Sequence, residues 1–165
     1  MAEPKQGFCW HVHHNVLLEW CWDIDYRAGV IKDRKPPHEV ATRLHLFRPV
    51  TGRLPDAVLQ AGTAYEKTRR AFAEVWMGRI NAGIAYAKAN DAKANDAKVA
   101  DDAKAASEKA RASCGEAERV CNKVGAVLDG AILNHRAEIE ALHAKECGCK
   151  EWNGTEIVFP KAQEK

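Results

Sequence analysis

The sequence predicts a mainly α protein: a long antiparallel helical hairpin, coiled-coil-like in its seam, on a small aromatic-rich helical base, with a short C-terminal β-hairpin. Three observations lead there. After Pro55 the chain carries no proline until well past His143. Within that stretch the apolar residues step by three and four, first at Val58, Ala61, Tyr65, Phe72, Val75/Trp76, Ile80 and Ile84. The same stepping returns at Ala103, Ala106, Ala110, Cys114, Ala117, Cys121, Val124, Leu128, Ile132, His135, Ile139 and Leu142, so a narrow helical stripe seeks a partner. Finally, Trp10, Trp20 and Trp22 crowd the N-terminal region, and rings of that size imply a hydrophobic centre. The chain thus divides into residues 1–54 as base, 55–143 as hairpin and 144–165 as a Cys-x-Cys segment and β-hairpin packing back on the base.

A chain of 165 residues with 46% hydrophobic content can bury a real core. Its formal charge of +2 is too small to declare a nucleic-acid binder, so any such function must come from local clustering. No charged n-region precedes an apolar segment and no apolar run reaches membrane-spanning length, so a soluble, cytoplasmic protein without a membrane partner is expected. Six cysteines in such a chain point to metal binding or core packing before disulfides.

In the base, Cys9, His11 and His13 alternate with Trp10 and Val12, and an extended chain puts three potential ligands on one face. Asn15 then reads as the cap of a helix with Leu17, Trp20, Cys21, Ile24 and Ala28 on its buried side. Pro36-Pro37 interrupts the chain. From His38 to Phe47 the pattern fits both a helix and a strand, and Pro37 in a first turn followed by Glu39 favours a short helix. Arg48 to Pro55 reads as a loop leading into the long helix.

Between Arg27 and Arg53, seven basic residues face only Asp33 and Glu39. Arg34, Lys35, Arg43 and Arg48 are the candidate nucleic-acid contacts there. No aromatic platform or Gly-rich phosphate loop accompanies them, so a solvated surface is the simpler reading.

Residues 87–101 hold an imperfect five-residue repeat beginning Ala87-Lys88-Ala89-Asn90-Asp91. Five residues advance a helix by about 500°, so no constant apolar face survives. That loss of period places the hairpin turn near 99–102, with Asp101 or Asp102 capping the second arm. Phe72 should then approach Leu128, Trp76 should approach Val124, and Ile80 should approach Val120 or Cys121. The competing arrangement is a single extended helix of about 130 Å that must find another chain to cover its stripe. Cys114, Cys121 and His135 share the stripe and read as core.

At the C-terminal end His143 and Cys147 lie one helical turn apart, Gly148 lets Cys147-Gly148-Cys149 curl, and Asn153-Gly154 signals a hairpin turn. Zinc favours four Cys and His ligands. If the arms return the chain to its start, His143, Cys147 and Cys149 meet His11 or His13, whereas His14 points to the opposite face. The metal candidates are therefore His11, His13, His143, Cys147 and Cys149, and no catalytic or organic-cofactor residue is assigned.

These features predict a non-enzymatic interaction or scaffolding protein stapled by structural zinc, meeting a protein partner or a second copy through its helices. A nucleic-acid-binding module using residues 27–53 is one alternative, and a small metal-dependent enzyme using the His-rich N-terminus is another. For the enzyme, nothing fixes a base and its orienting partner.

Overall fold

In a computed structural model, residues 5–91 and 97–160 are described. They form β1 (Gly7–Trp10), β2 (Leu18–Cys21), α1 (Ile24–Arg34), α2 (Pro37–Leu46), β3 (Arg48–Pro49), α3 (Asp56–Asp91), α4 (Ala97–Asn134) and α5 (Arg136–Glu146). The chain divides into two compact units, Met1–Leu59 with Ile132–Lys165, and Gln60–Ala131. No described helix is long and apolar enough to cross a membrane.

The first unit is built on a three-stranded antiparallel sheet in the order β2-β1-β3, with Phe8 opposite Trp20, Trp10 opposite Leu18, and Cys9 opposite Pro49. The base is therefore not all helical, and the helix expected from Asn15 is replaced by a β-hairpin. Leu18, Trp20 and Cys21 gain a cross-strand partner at every step, which a helix could not give them beside β1. Helix α1 begins only where Asp23 caps it, its carboxylate accepting from the Tyr26 N–H at 2.8 Å. The short helix expected after Pro36 is present as α2, with Pro37 in its first turn.

Central position in the sheet buries β1. Its alternation sends Cys9 into a cluster with Val12, Cys21, Ile31 and Phe47, under α1 and α2, and turns Trp10 towards the residues of α5. The long C-terminal helix is interrupted at His135, where ψ reaches 20° and the ring bonds Glu138 at 2.7 Å, and α5 starts afresh. Beyond it, among the described residues, the β-hairpin expected at 144–165 is reduced to one bridge, Trp152 with Ile157. The Asn153-Gly154 turn is formed: the Asn153 side chain accepts from the Thr155 and Glu156 N–H groups, both at 2.9 Å, and two backbone bonds close the ribbon, from the Asn153 N–H to the Glu156 carbonyl at 3.1 Å and from the Val158 N–H to the Glu151 carbonyl at 2.7 Å. One further bond runs from the Ile157 N–H to the His14 carbonyl at 2.7 Å.

In the second unit the arms of α3 and α4 pack together as a helical hairpin. On α3 the half-buried residues Tyr65, Phe72 and Tyr86 are large, while α4 answers with Ala103, Ala110, Cys114, Ala117 and Cys121. Tyr65 lies against Gly125, where an added Cβ would stand 3.4 Å from the ring, so a small residue is what the aromatic needs. Cys114, Cys121 and Leu128 are buried, in keeping with their reading as core.

The turn expected near 99–102 is not there: those residues are helical, within α4. Ala100, Ala103 and Ser107 are already partly buried, so the stripe that organises α4 begins within the expected turn and requires helix there. Helix α3 ends at Asp91 and α4 starts at Ala97, and the rest of the repeat lies outside the described residues. The arms are correspondingly offset from the expected pairing. Ile80 shares a groove with Ser107 and Arg111, not with Val120 or Cys121.

Candidate metal centre

Two pieces of chain, distant in sequence, build the centre. Strand β1 ends at Trp10, and His11 adopts a left-handed backbone with φ 53. Its N–H donates to the Leu17 carbonyl at 3.0 Å, and the Val16 N–H donates to the His13 carbonyl at 3.3 Å, closing the turn into β2. The reversal at His11 breaks the alternation of the strand. His11 is consequently turned inward and buried, whereas His13 is exposed and bonds Glu19 through Nδ1 at 2.6 Å. Sharing a face was expected of the two histidines, and it fails because the strand stops one residue before the first of them. His14 is also exposed.

From the other side, α5 carries His143 and Cys147 one turn apart, with the Cys147 N–H donating to the His143 carbonyl at 2.8 Å. Gly148 follows in the left-handed conformation, φ 56, a common way to end a helix. That reversal carries Cys149 back beneath the helix end. Its Sγ lies 3.3 Å from His143 Nε2 and 3.5 Å from His11 Nε2, and the two Nε2 atoms are 2.9 Å apart. One ligand atom from each of His11, His143, Cys147 and Cys149 falls within 4.8 Å of all the others, so this cluster could hold a metal ion. A tetrahedral zinc site has ligand-to-ligand edges of about 3.3 Å between nitrogens and about 3.6 Å between nitrogen and sulfur, given its usual bond lengths. The observed spacings are close to those edges.

Aromatic rings hold the imidazoles in place. His11 lies edge-on to His143 at 4.9 Å and against Trp152 at 5.1 Å, and Trp10 meets His143 edge-on at 5.2 Å. Nδ1 of His11 is buried without a hydrogen-bond partner, so the ring is oriented by packing and by the contacts of its Nε2. Burial, then the neighbouring His143 and Arg48, push the His11 pKa down to about 4, against an opposing pull from Glu151. His143 is lowered by burial and by Arg48. Both rings are therefore neutral near pH 7 and keep lone pairs for a metal. The Cys149 thiol is pushed up to about 11 by burial and by its hydrogen bond with Cys147. A bound dication supplies the charge that this site lacks and favours the thiolate, releasing a proton on binding.

One structural residue was not legible as such: Glu146. Its carboxylate accepts from Trp10 Nε1 at 2.8 Å, from the Thr51 N–H and Oγ1 at 3.2 and 3.0 Å, and from the Gly52 N–H. A Cβ on Gly52 would come within 2.6 Å of the Glu146 carboxylate and a Leu142 methyl, so a larger residue would displace these side-chain ends. Burial of Glu146 works to raise its pKa, yet these donors outweigh it and the net shift is downward. The only signal in the sequence is an acidic residue in the last turn of a helix, where the dipole disfavours it.

Among the basic candidates, Arg43 and Arg48 are held by local partners, Arg48 beside the centre itself. Arg43 is held by Glu39 at 2.7 Å and lies 4.5 Å over the Phe159 ring. Arg48 donates to the His45 carbonyl at 3.2 Å and the Glu146 carbonyl at 3.4 Å. Of the four basic candidates Arg34 is exposed, and Lys35, Arg43 and Arg48 are partly buried. Cys9 and Cys21 are buried together, and the Cys9 thiol is raised by its hydrogen bond with Cys21 and by burial. No family model, curated protein or solved structure matches this chain.

Proposed function

We propose that this is a non-catalytic scaffolding protein whose sheet-containing unit is stapled by a structural zinc ion and whose helical arms are its interaction surface. The observation that carries the proposal is the convergence of His11, His143, Cys147 and Cys149 within 4.8 Å, from segments more than a hundred residues apart in the chain. Two thiolates with two imidazoles suit zinc among the common divalent metals. Four protein ligands complete a tetrahedral shell and leave no position for an activated water, so the ion would join β1 to α5 without supplying a nucleophile. Trp10, Trp152 and Glu146 would then fix the supporting geometry from outside the shell.

Zinc content and thermal melting of purified protein, with and without chelator, test this. One equivalent of zinc is expected, with Tm falling on chelation. Cys149→Ser and His143→Ala should each lower zinc content and melt near the chelated wild type. Protein that takes up no zinc and melts unchanged when zinc is supplied would remove the staple. Hydrolysis of a phosphate ester, peptide or nucleotide that disappears in His11→Ala would overturn the scaffold reading.

A further inference from the structure

Between α3 and α4 the hairpin leaves an open groove of about 360 Å³. On α3 its apolar lining is Ile80, Gly83, Ile84 and Ala87, and the two isoleucines are 41% and 49% exposed. A Cβ added at Gly83 would meet nothing within 4 Å, so the groove is open above that residue. Arg79 on α3 and Arg111 on α4 line it as well. Each is the lining residue of its arm that lies farthest from Asp91 and Ala97, where α3 ends and α4 begins. In antiparallel arms that puts both guanidinium groups at one end. From there an apolar trough runs about 12 Å along α3, from Arg79 to Ala87.

The charges identify what fits. Elsewhere on the arms arginines pair with acids of their own helix, Arg70 with Glu66 at 2.8 Å and Arg119 with Glu116. Among the described residues no carboxylate pairs with Arg79 or Arg111, and the Trp76 ring that lies 4.9 Å from the Arg79 guanidinium supplies none. On α3 no acid occurs between Glu74 and Asp91, and beside Arg111 the residues Lys104 and Lys109 outnumber Glu108. We propose that this groove docks an acidic amphipathic helix of a partner protein, with its large apolar side chains over Gly83 between Ile80 and Ile84 and its carboxylates on Arg79 and Arg111. The inference rests on the scaffold reading above and gives the partner its chemistry. Glycine and alanine at 83 and 87 let a third helix approach closely, and its apolar side chains cover isoleucines that water now reaches. Each guanidinium has N–H groups to offer a carboxylate in fork geometry. A second copy of the chain would bring Arg79 and Arg111 again and, in this stretch of α3, no acid to answer them. A trough between two ridges also suits a rod better than a flat bilayer.

Fluorescence anisotropy of a labelled, end-capped, alanine-based helical peptide titrated with the full chain at low salt tests the docking. The peptide carries leucines at i, i+3 and i+7 and two glutamates one turn beyond them. One control replaces its glutamates by lysines, the other its leucines by alanines. Saturable binding of the glutamate peptide is expected, with each control about tenfold weaker. Arg79→Glu and Arg111→Glu should each weaken it roughly tenfold, and the double variant should prefer the lysine peptide. Gly83→Leu should abolish binding of either peptide while the far-UV helical signal is undiminished, because leucine is the better helix former and its side chain has room in the groove. That result separates a filled groove from a lost fold. No saturable binding of the glutamate peptide overturns the proposal, as does a control that binds equally well, or binding that survives Gly83→Leu. Dimerisation of the wild type, or its uptake by phosphatidylglycerol vesicles, that Gly83→Leu abolishes while the peptide fails to bind would assign the groove to a second copy or to lipid and overturn it too. None of these results touches the scaffold reading, which falls only by the His11-dependent turnover named above.

Discussion

The two units of this chain are held by different means. In the sheet-containing unit, residues far apart in sequence converge: Trp10 on His143 and Glu146, His11 on Cys149, Thr51 on Glu146. Trp10, Ile31, Leu46 and Ile139 are there fully buried. In the helical unit the arms meet along one stripe, and Trp76, Met77, Ile80 and Ile84 remain substantially exposed. Convergence makes the first unit sensitive to single side chains, whereas the second draws on helix propensity spread along its length and on a thin seam.

Replacing a tryptophan in each unit should separate them most widely. Trp10→Ala removes a buried ring and one of the donors to Glu146, and should cost about 3–5 kcal/mol. Trp76→Ala, at a position 42% exposed, should cost under about 1 kcal/mol. Urea titrations of the two variants measure the difference. Losses of similar size would mean that burial is not what distinguishes the units.

A smaller effect belongs to Glu146. Glu146→Gln keeps the shape but loses the charge assistance of the hydrogen bonds, and should cost about 1–2 kcal/mol. The pH dependence has a definite sign. The folded pKa of Glu146 lies below the ordinary value of 4.5, so its contribution is complete above that value and is lost as pH falls through the folded pKa. The stability gap between wild type and variant should therefore close in acid. A gap that persists unchanged at pH 3 would contradict the clamp.

Smallest is the helix end. Gly148→Ala places a Cβ on a left-handed residue and should cost about 1 kcal/mol, while Gly148→Asn should recover part of that loss because asparagine tolerates this conformation better. Melting and zinc affinity of the two variants check it. Asparagine performing no better than alanine would show that the turn does not depend on its backbone angle.

Most of the helical architecture was legible because it is periodic. The stripe from Tyr65 to Ile84 and the one from Ala103 to Leu128 repeat at a spacing only helices satisfy, and Pro37 and Pro55 mark helix starts. The β-hairpin was missed because Leu17, Trp20 and Cys21 also fit a helix, and what decides between them is pairing with β1. The turn is not at 99–102, which are helical, because loss of a constant face says that packing weakens, not where the chain reverses. At the centre, His143, Cys147 and Cys149 were readable from spacing and from Gly148. Choosing His11 over His13 was not readable, since it depends on the left-handed backbone at His11. Glu146 was invisible for a similar reason: its donors come from Trp10, Thr51 and Gly52, and no local pattern joins them.

Cobalt(II) substitution tests the staple most directly, because its visible spectrum reports both coordination number and sulfur ligation. One equivalent of cobalt added to the metal-free protein should give intense tetrahedral d–d bands and a thiolate-to-metal charge-transfer band. Cys149→Ser should weaken the charge-transfer band, His13→Ala should leave the spectrum as it is, and one equivalent of zinc should bleach it. A weak, pale-pink octahedral spectrum, or bands that survive in Cys149→Ser and vanish in His13→Ala, would contradict the four-residue centre.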